Sequence, residues 1–156
     1  TPMRSSAASD VYKRQVNASF DLVPIKVKNG FVVGRVYVRM VRAGIRTYYN
    51  IYDYKSKKNI MLNVCYKNSA IAIAETHNTK SPLINKLIEM EEDYSHNYIE
   101  MTYFKYLYNK TDHVNKKQVY ETRFDNYQTK CIELRQIIDN CIMVNSLHCA
   151  KIIYEN

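Results

Sequence analysis

The chain has 156 residues, enough for one ordinary domain or a small domain with an appendage, and no apolar run approaches the ~20 residues of a membrane-spanning helix. It carries 23 Lys and Arg against 15 Asp and Glu, a formal net charge of +8, with three glycines and no tryptophan. So few glycines argue against phosphate-cradling loops, and no P-loop, G-x-G-x-x-G, G-x-S-x-G or Cys/His nucleophile pairing occurs, so no enzyme is expected.

Taken in chain order, the first segment stands apart. Residues 5–15, SSAASDVYKRQ, are small and Ser/Ala-rich, whereas the chain from Val16 onward is crowded with Lys, Asn, Tyr and Ile. This stretch resembles a translated transposase-tagmentation sequencing adaptor, whose mosaic end, GATGTGTATAAGAGACAG, encodes the DVYKRQ of Asp10 to Gln15. The resemblance implies that residues 1–15 are a non-native tail. It further implies a shotgun-read, metagenomic reading frame whose true start is missing. A scar of this kind carries no fold information, and the informative chain begins at Val16.

Charge is unevenly distributed beyond that point. Residues 16–65 carry nine Lys and Arg against two Asp, whereas residues 66–156 carry eleven against twelve Asp and Glu. The asymmetry points to an acidic partner for the first half. Lys, Asn, Ile and Tyr, at 15 each, share A/T-rich codons, and an A/T-rich genome accounts for their abundance. Cys65, Cys131, Cys141 and Cys149 form no C-x-x-C. Reduced, buried thiols in a cytoplasmic protein are therefore expected in place of a disulfide framework.

Residues 16–80 read as a small basic four-stranded antiparallel meander with one short covering helix. Asn29-Gly30 favours a type I′ hairpin turn between residues 22–28 and 31–42. Ala43-Gly44 makes a second turn into residues 45–54, and Lys55 to Lys58 lead to a last strand at 59–64. Pro24 donates no ladder bond, which suits an edge strand. These turns set Val27 opposite Val32, Val23 opposite Val36, Arg39 opposite Tyr48 and Arg35 opposite Tyr52. One face then gathers Val23, Ile25, Val27, Val32, Val36, Val38, Met40, Tyr49 and Ile51. The opposite, wet face gathers Arg35, Tyr37, Arg39, Arg46, Tyr48, Asn50, Tyr52 and Tyr54, as an antiparallel sheet with one packed face should. The Ala/Ile-rich segment 65–77 is the helix expected to cover the apolar face, ending at Asn78-Thr79-Lys80.

Residues 81–156 read as a long antiparallel helical hairpin. Ser81-Pro82 supplies an N-cap and a first-turn proline. Leu83, Leu87, Met90, Tyr94, Asn97, Met101, Phe104 and Tyr108 then follow alternating steps of four and three. After the polar break at 109–116, Tyr120, Phe124, Tyr127, Cys131, Leu134, Ile138 and Cys141 do the same, continuing weakly to Asn145, His148 and Ile152. Such heptads argue for coiled-coil-like packing. Asn97, mid-seam, either fixes register or oligomer state or lies near a loosely packed or exposed layer. Ile84, Ile88, Ile99, Ile132, Ile137 and Ile142 lie off the seam and leave apolar surface to bury, which favours a dimer or a docking partner.

The segment 51–108, with IYDYKSKKNIMLNV and KNSAIAIAETHNTKSPLINKLIEMEEDY, resembles uncharacterised small proteins of marine tailed phages. In those, a strand and a short helix precede a long acidic-then-basic helix. ETRFDNYQTKCIEL at 121–134 is similar to their following helix. The resemblance implies a viral source, in the host cytoplasm or the virion, and a role in particle assembly, with no activity to carry over.

For chemistry, His77, His96, His113 and His148 are scattered, and Cys141, Asn145 and His148 share a helix face without a zinc spacing. Asp93-x-x-His96 lacks the second motif and the further Glu residues of a di-iron bundle. Glu89, Glu91, Glu92 and Asp93 read as a solvated helix face. No cofactor, metal or small-molecule substrate is expected. The candidate contact surface is therefore Arg35, Tyr37, Arg39, Arg46, Tyr48, Tyr52 and Tyr54. Arginine there would neutralise phosphate while tyrosine stacks unpaired bases. The same residues equally suit a protein interface.

Overall fold

The computed structural model describes residues 22–145. The adaptor-like tail, Cys149 and the seam continuation at His148 and Ile152 lie outside the described residues. The architecture is α+β, five antiparallel strands in one sheet followed by three helices, two of them long. The strands are β1 (Ile25–Val27), β2 (Gly30–Val33), β3 (Val36–Ala43), β4 (Arg46–Asp53) and β5 (Lys58–Val64), in sequential order across the sheet. Helix α1 spans Lys67–Asn78, α2 spans Leu83–Lys110 and α3 spans Val114–Val144.

The expected single strand over 31–42 is two strands, which makes five in place of four. Gly34 and Arg35 form a tight turn between Val33 and Val36. Gly34 takes a φ of +56°, in the left-handed region that a glycine occupies without Cβ strain. The turn exchanges faces upstream of it. Val32 now pairs with Tyr37 and Ile25 pairs with Val32, so Ile25 and Val32 lie on the face opposite Val36 and Val38.

Both predicted hairpin turns also move by one residue, the first to Lys28-Asn29 and the second to Gly44-Ile45. Val27 thus pairs with Gly30, Arg39 with Asn50, and Val41 with Tyr48. At the first turn Asn29 has a φ of +64°. Gly30 is held so close to β3 that an added Cβ would lie 2.1 Å from the Val38 carbonyl oxygen. That contact favours ladder pairing at Gly30, with the turn before it. Because each register moves by two residues in total, the sorting of β3 and β4 into two faces is unchanged.

On one face, Val33, Val36, Val38, Ile51 and Val64 are fully buried. Helix α1 packs against β2, β3, β4 and β5 and contributes Ala70, Ile71, Ala72, Ile73 and Ala74, also fully buried. At about 1.5–3 kcal/mol for each large aliphatic side chain withdrawn from water, this layer is the main stabilising element of the sheet. Its helix has no side-chain cap at Tyr66, so packing outweighs local capping there.

Within the described residues the chain divides into two compact units, residues 22–88 with 141–145, and residues 89–140. In the second unit α2 and α3 run antiparallel. Phe104 stacks on Tyr127 at a centroid distance of 5.8 Å and meets Tyr120 at 6.2 Å, while Glu91 reaches Arg135 nearer the open end. Met90, Tyr94, Phe104, Cys131 and Ile138 are buried between them. Asn97 donates its amide to the Asp93 carbonyl of its own helix at 2.8 Å, so this hydrogen bond stays local. In the first unit, Ile142, expected off the seam, is 1 % exposed.

Candidate contact surface

The open face of β3 and β4 carries Arg39 beside Asn50, Val41 beside Tyr48, and Ala43 beside Arg46. Directly opposed residues on adjacent antiparallel strands share a face, so Arg39, Arg46, Tyr48 and Tyr52 form one surface. The Arg46 guanidinium donates to the Tyr48 hydroxyl at 3.3 Å. Arg39 is exposed, and Arg46, Tyr48 and Tyr52 are half-buried. Asn50 is tied down through its side-chain oxygen, which accepts the Asn63 amide at 2.9 Å.

Three of the seven expected surface residues serve the fold instead. Tyr37 is only 6 % exposed and packs with Val32, Ile25, Val27 and Tyr54 in a small cluster. Its hydroxyl donates to the Lys28 and Asn29 carbonyls at 3.3 and 3.4 Å. The Tyr54 hydroxyl donates to the Gly34 carbonyl at 3.2 Å. Arg35 lies in the tight turn, not opposite Tyr52, and its Nε donates to Asp53 Oδ2 at 2.8 Å.

That last contact belongs to a polar cluster not anticipated from sequence. Asp53, at the end of β4, is 1 % exposed and also meets His77 Nε2 at 2.7 Å. Its other oxygen accepts the Lys55 and Ser56 amides at 2.9 and 3.1 Å, which shapes the β4–β5 connection. Burial pushes the Asp53 carboxyl up. The bonds from His77, Ser56, Lys55 and Arg35 outweigh that penalty and hold it below its ordinary value. Asn78 completes the arrangement, accepting the Arg35 amide at 2.9 Å and donating to the Val33 carbonyl at 2.7 Å. The cluster locks the end of α1 to the Gly34 turn. Asp53 is the only acidic residue between positions 22 and 74, which was the available signal.

A second buried charge lies in the helical hairpin. Glu91, expected on a solvated face, is fully buried, and Arg135 Nη1 donates to its Oε1 at 3.1 Å. Arg135 also donates to Asp139 at 2.7 Å. Burial disfavours the charged guanidinium, but Asp139 and Glu91 outweigh it and raise its pKa further. Glu89, Glu92 and Asp93 are exposed.

Among the described residues, no group of three or more His, Cys, Asp and Glu side chains is placed to hold a metal ion. An open cleft between α2 and α3 is lined by Lys105, Tyr108, Asn109, Glu121, Phe124 and Asp125, a mixed set of charges. No described helix is long and apolar enough to cross a membrane.

No family model, curated protein or solved structure matches this chain.

Proposed function

We propose that this chain is a non-enzymatic binding or assembly protein, phage-encoded and acting in the host cytoplasm or the virion through protein–protein contacts. The observation that carries this reading is the apolar surface of its long helices away from their seam. Ile99, Tyr103 and Tyr106 on α2, and Val119, Ile132 and Ile137 on α3, are each half or more exposed. Exposed apolar surface of this kind marks interaction sites. The phage source rests on the resemblance over residues 51–134. Arg39, Arg46, Tyr48 and Tyr52 add a second surface rich in residue types enriched at interfaces.

A nucleic-acid-binding accessory factor is the second reading. Residues 22–88 carry twelve Lys and Arg against two acids, one of which, Asp53, is buried in an ion pair. Fluorescence anisotropy of labelled single- and double-stranded DNA and RNA, titrated with the full chain across salt, separates the two. Absence of binding at low salt supports the protein-contact reading. Binding that weakens with salt and is lost in a folded R39E/R46E variant overturns it in favour of the accessory factor.

A further inference from the structure

We propose that the outer face of α2 is a self-association surface, on which a second copy of this chain docks its own α2 antiparallel. The inference rests on the protein-contact reading above and names its partner and geometry.

Glu92, His96, Ile99, Tyr103, Tyr106 and Lys110 recur at steps of four and three along α2, and all six are exposed. At roughly 100° per residue they fall within one stripe, on the side of the helix opposite Tyr94, Met101 and Phe104. Tyr94 and Phe104 are buried in the hairpin, so α2 is apolar on two opposing faces and α3 accounts for one. The central residues of the outer face are the exposed large hydrophobic side chains of the helix, with Ile99 at 63 %, Tyr106 at 56 % and Tyr103 at 52 % exposed.

Charge complementarity selects the occupant. A two-fold axis passing beside position 101 sets Ile99 opposite Tyr103 of the second copy and His96 opposite its Tyr106. The same axis sets Glu92 opposite its Lys110. One operation therefore matches all six positions, with aliphatic and aromatic groups at the centre and an acid–base pair at each end. An isologous dimer requires this self-complementarity, in which residue i meets j and j meets i. A parallel arrangement in register would instead set Glu92 against Glu92 and Lys110 against Lys110. Within one chain Lys110 Nζ lies 5.5 Å from the centroid of the Tyr106 ring, at the end of the stripe. The matched stripe runs about 27 Å at ~1.5 Å per residue.

The test is sedimentation equilibrium of the full chain and four variants, with circular dichroism to establish that each is folded. The unaltered chain is expected to dimerise, and Tyr103→Glu to raise the dimer Kd more than about tenfold. Glu92→Lys and Lys110→Glu should each weaken it by up to about tenfold, because two ion pairs become two repulsions. The doubly reversed Glu92→Lys/Lys110→Glu chain should return to within about threefold of the unaltered Kd, since the pairs re-form with opposite sense. A chain monomeric at every concentration overturns the inference. A dimer indifferent to Tyr103→Glu also overturns it, but leaves self-association through another surface. Single reversals that weaken the dimer without rescue by the double reversal overturn the antiparallel register. Nucleic-acid binding lost in R39E/R46E is the separate result that would remove the reading on which the inference rests.

Discussion

His77 Nε2 lies 2.7 Å from Asp53 Oδ2, and this contact joins the last turn of α1 to the end of the fourth strand. The same carboxylate oxygen accepts Arg35 Nε, so one buried acid ties together a helix, a strand end and a two-residue turn. Asparagine removes the charge and keeps one acceptor oxygen, so either Arg35 and His77 or the Lys55 and Ser56 amides face an NH2 group in place of an acceptor. Asp53→Asn is expected to lower stability by about 2–3 kcal/mol, measured by urea denaturation near neutral pH.

The pH dependence follows from the lowered Asp53 pKa. Its carboxyl binds a proton less readily folded than unfolded, so its contribution is present above the unfolded value of about 3.9. That contribution is lost as pH falls through the lower folded value. The urea midpoint should fall below about pH 4 more steeply in the unaltered chain than in Asp53→Asn. Parallel profiles for the two proteins would refute this.

Gly34 and Asn78 form a close pair. A Cβ on Gly34 would lie 2.2 Å from Asn78 Oδ1, and the backbone there has a φ of +56°. Gly34→Ala is expected to cost about 1–3 kcal/mol from backbone strain and displacement of the Asn78 amide. Because both changes disrupt one contact, Gly34→Ala/Asn78→Ala should lose less than the sum of the two single changes. A double-mutant cycle by thermal denaturation measures the difference, and strict additivity would count against the described geometry.

In the hairpin, Arg135→Met should destabilise by about 3–5 kcal/mol because it strands the fully buried Glu91 charge. Glu91→Met/Arg135→Met replaces both charges with flexible apolar groups and should recover most of that loss. Chemical denaturation of the two variants distinguishes this from a simple packing effect, in which the second substitution would add to the damage.

The arginines of the sheet should separate by role. Arg35→Ala is expected to cost about 1–2 kcal/mol through the Asp53 bond. Arg39→Ala, at an exposed position, should stay within about 0.5 kcal/mol of the unaltered chain. Equal losses at both positions in urea titrations would contradict the assignment of Arg35 to the fold and Arg39 to the surface.

Local pattern carried much of this architecture. The four-and-three spacing from Leu83 and the polar break after Tyr108 specified two long helices, and the structure narrows that break to residues 111–113, between the end of α2 at Lys110 and the start of α3 at Val114. Alternation in β3 and β4 sorted Val36, Val38 and Ile51 from Arg39, Arg46 and Tyr48, because side chains alternate between faces whatever the turn position, provided parity is kept. Parity failed where Gly34 and Arg35 turn the chain. An isolated glycine within a strand pattern was the signal for that bend, but the conformation is held by Asn78, 43 residues from Arg35.

What only the tertiary structure decided is which polar groups are enclosed. Asp53 meets His77 across 24 residues and Glu91 meets Arg135 across 44. Sequence periodicity reports which side of its own element a residue occupies. Whether an acid on that side meets water or a cation depends on the register of a distant element. By itself the sequence therefore determined the α+β class, the two long helices and the Arg39, Arg46, Tyr48 and Tyr52 surface. Tertiary packing decided that Arg35, Tyr37 and Tyr54 belong to the fold, because only there do their hydrogen-bonding partners come within reach.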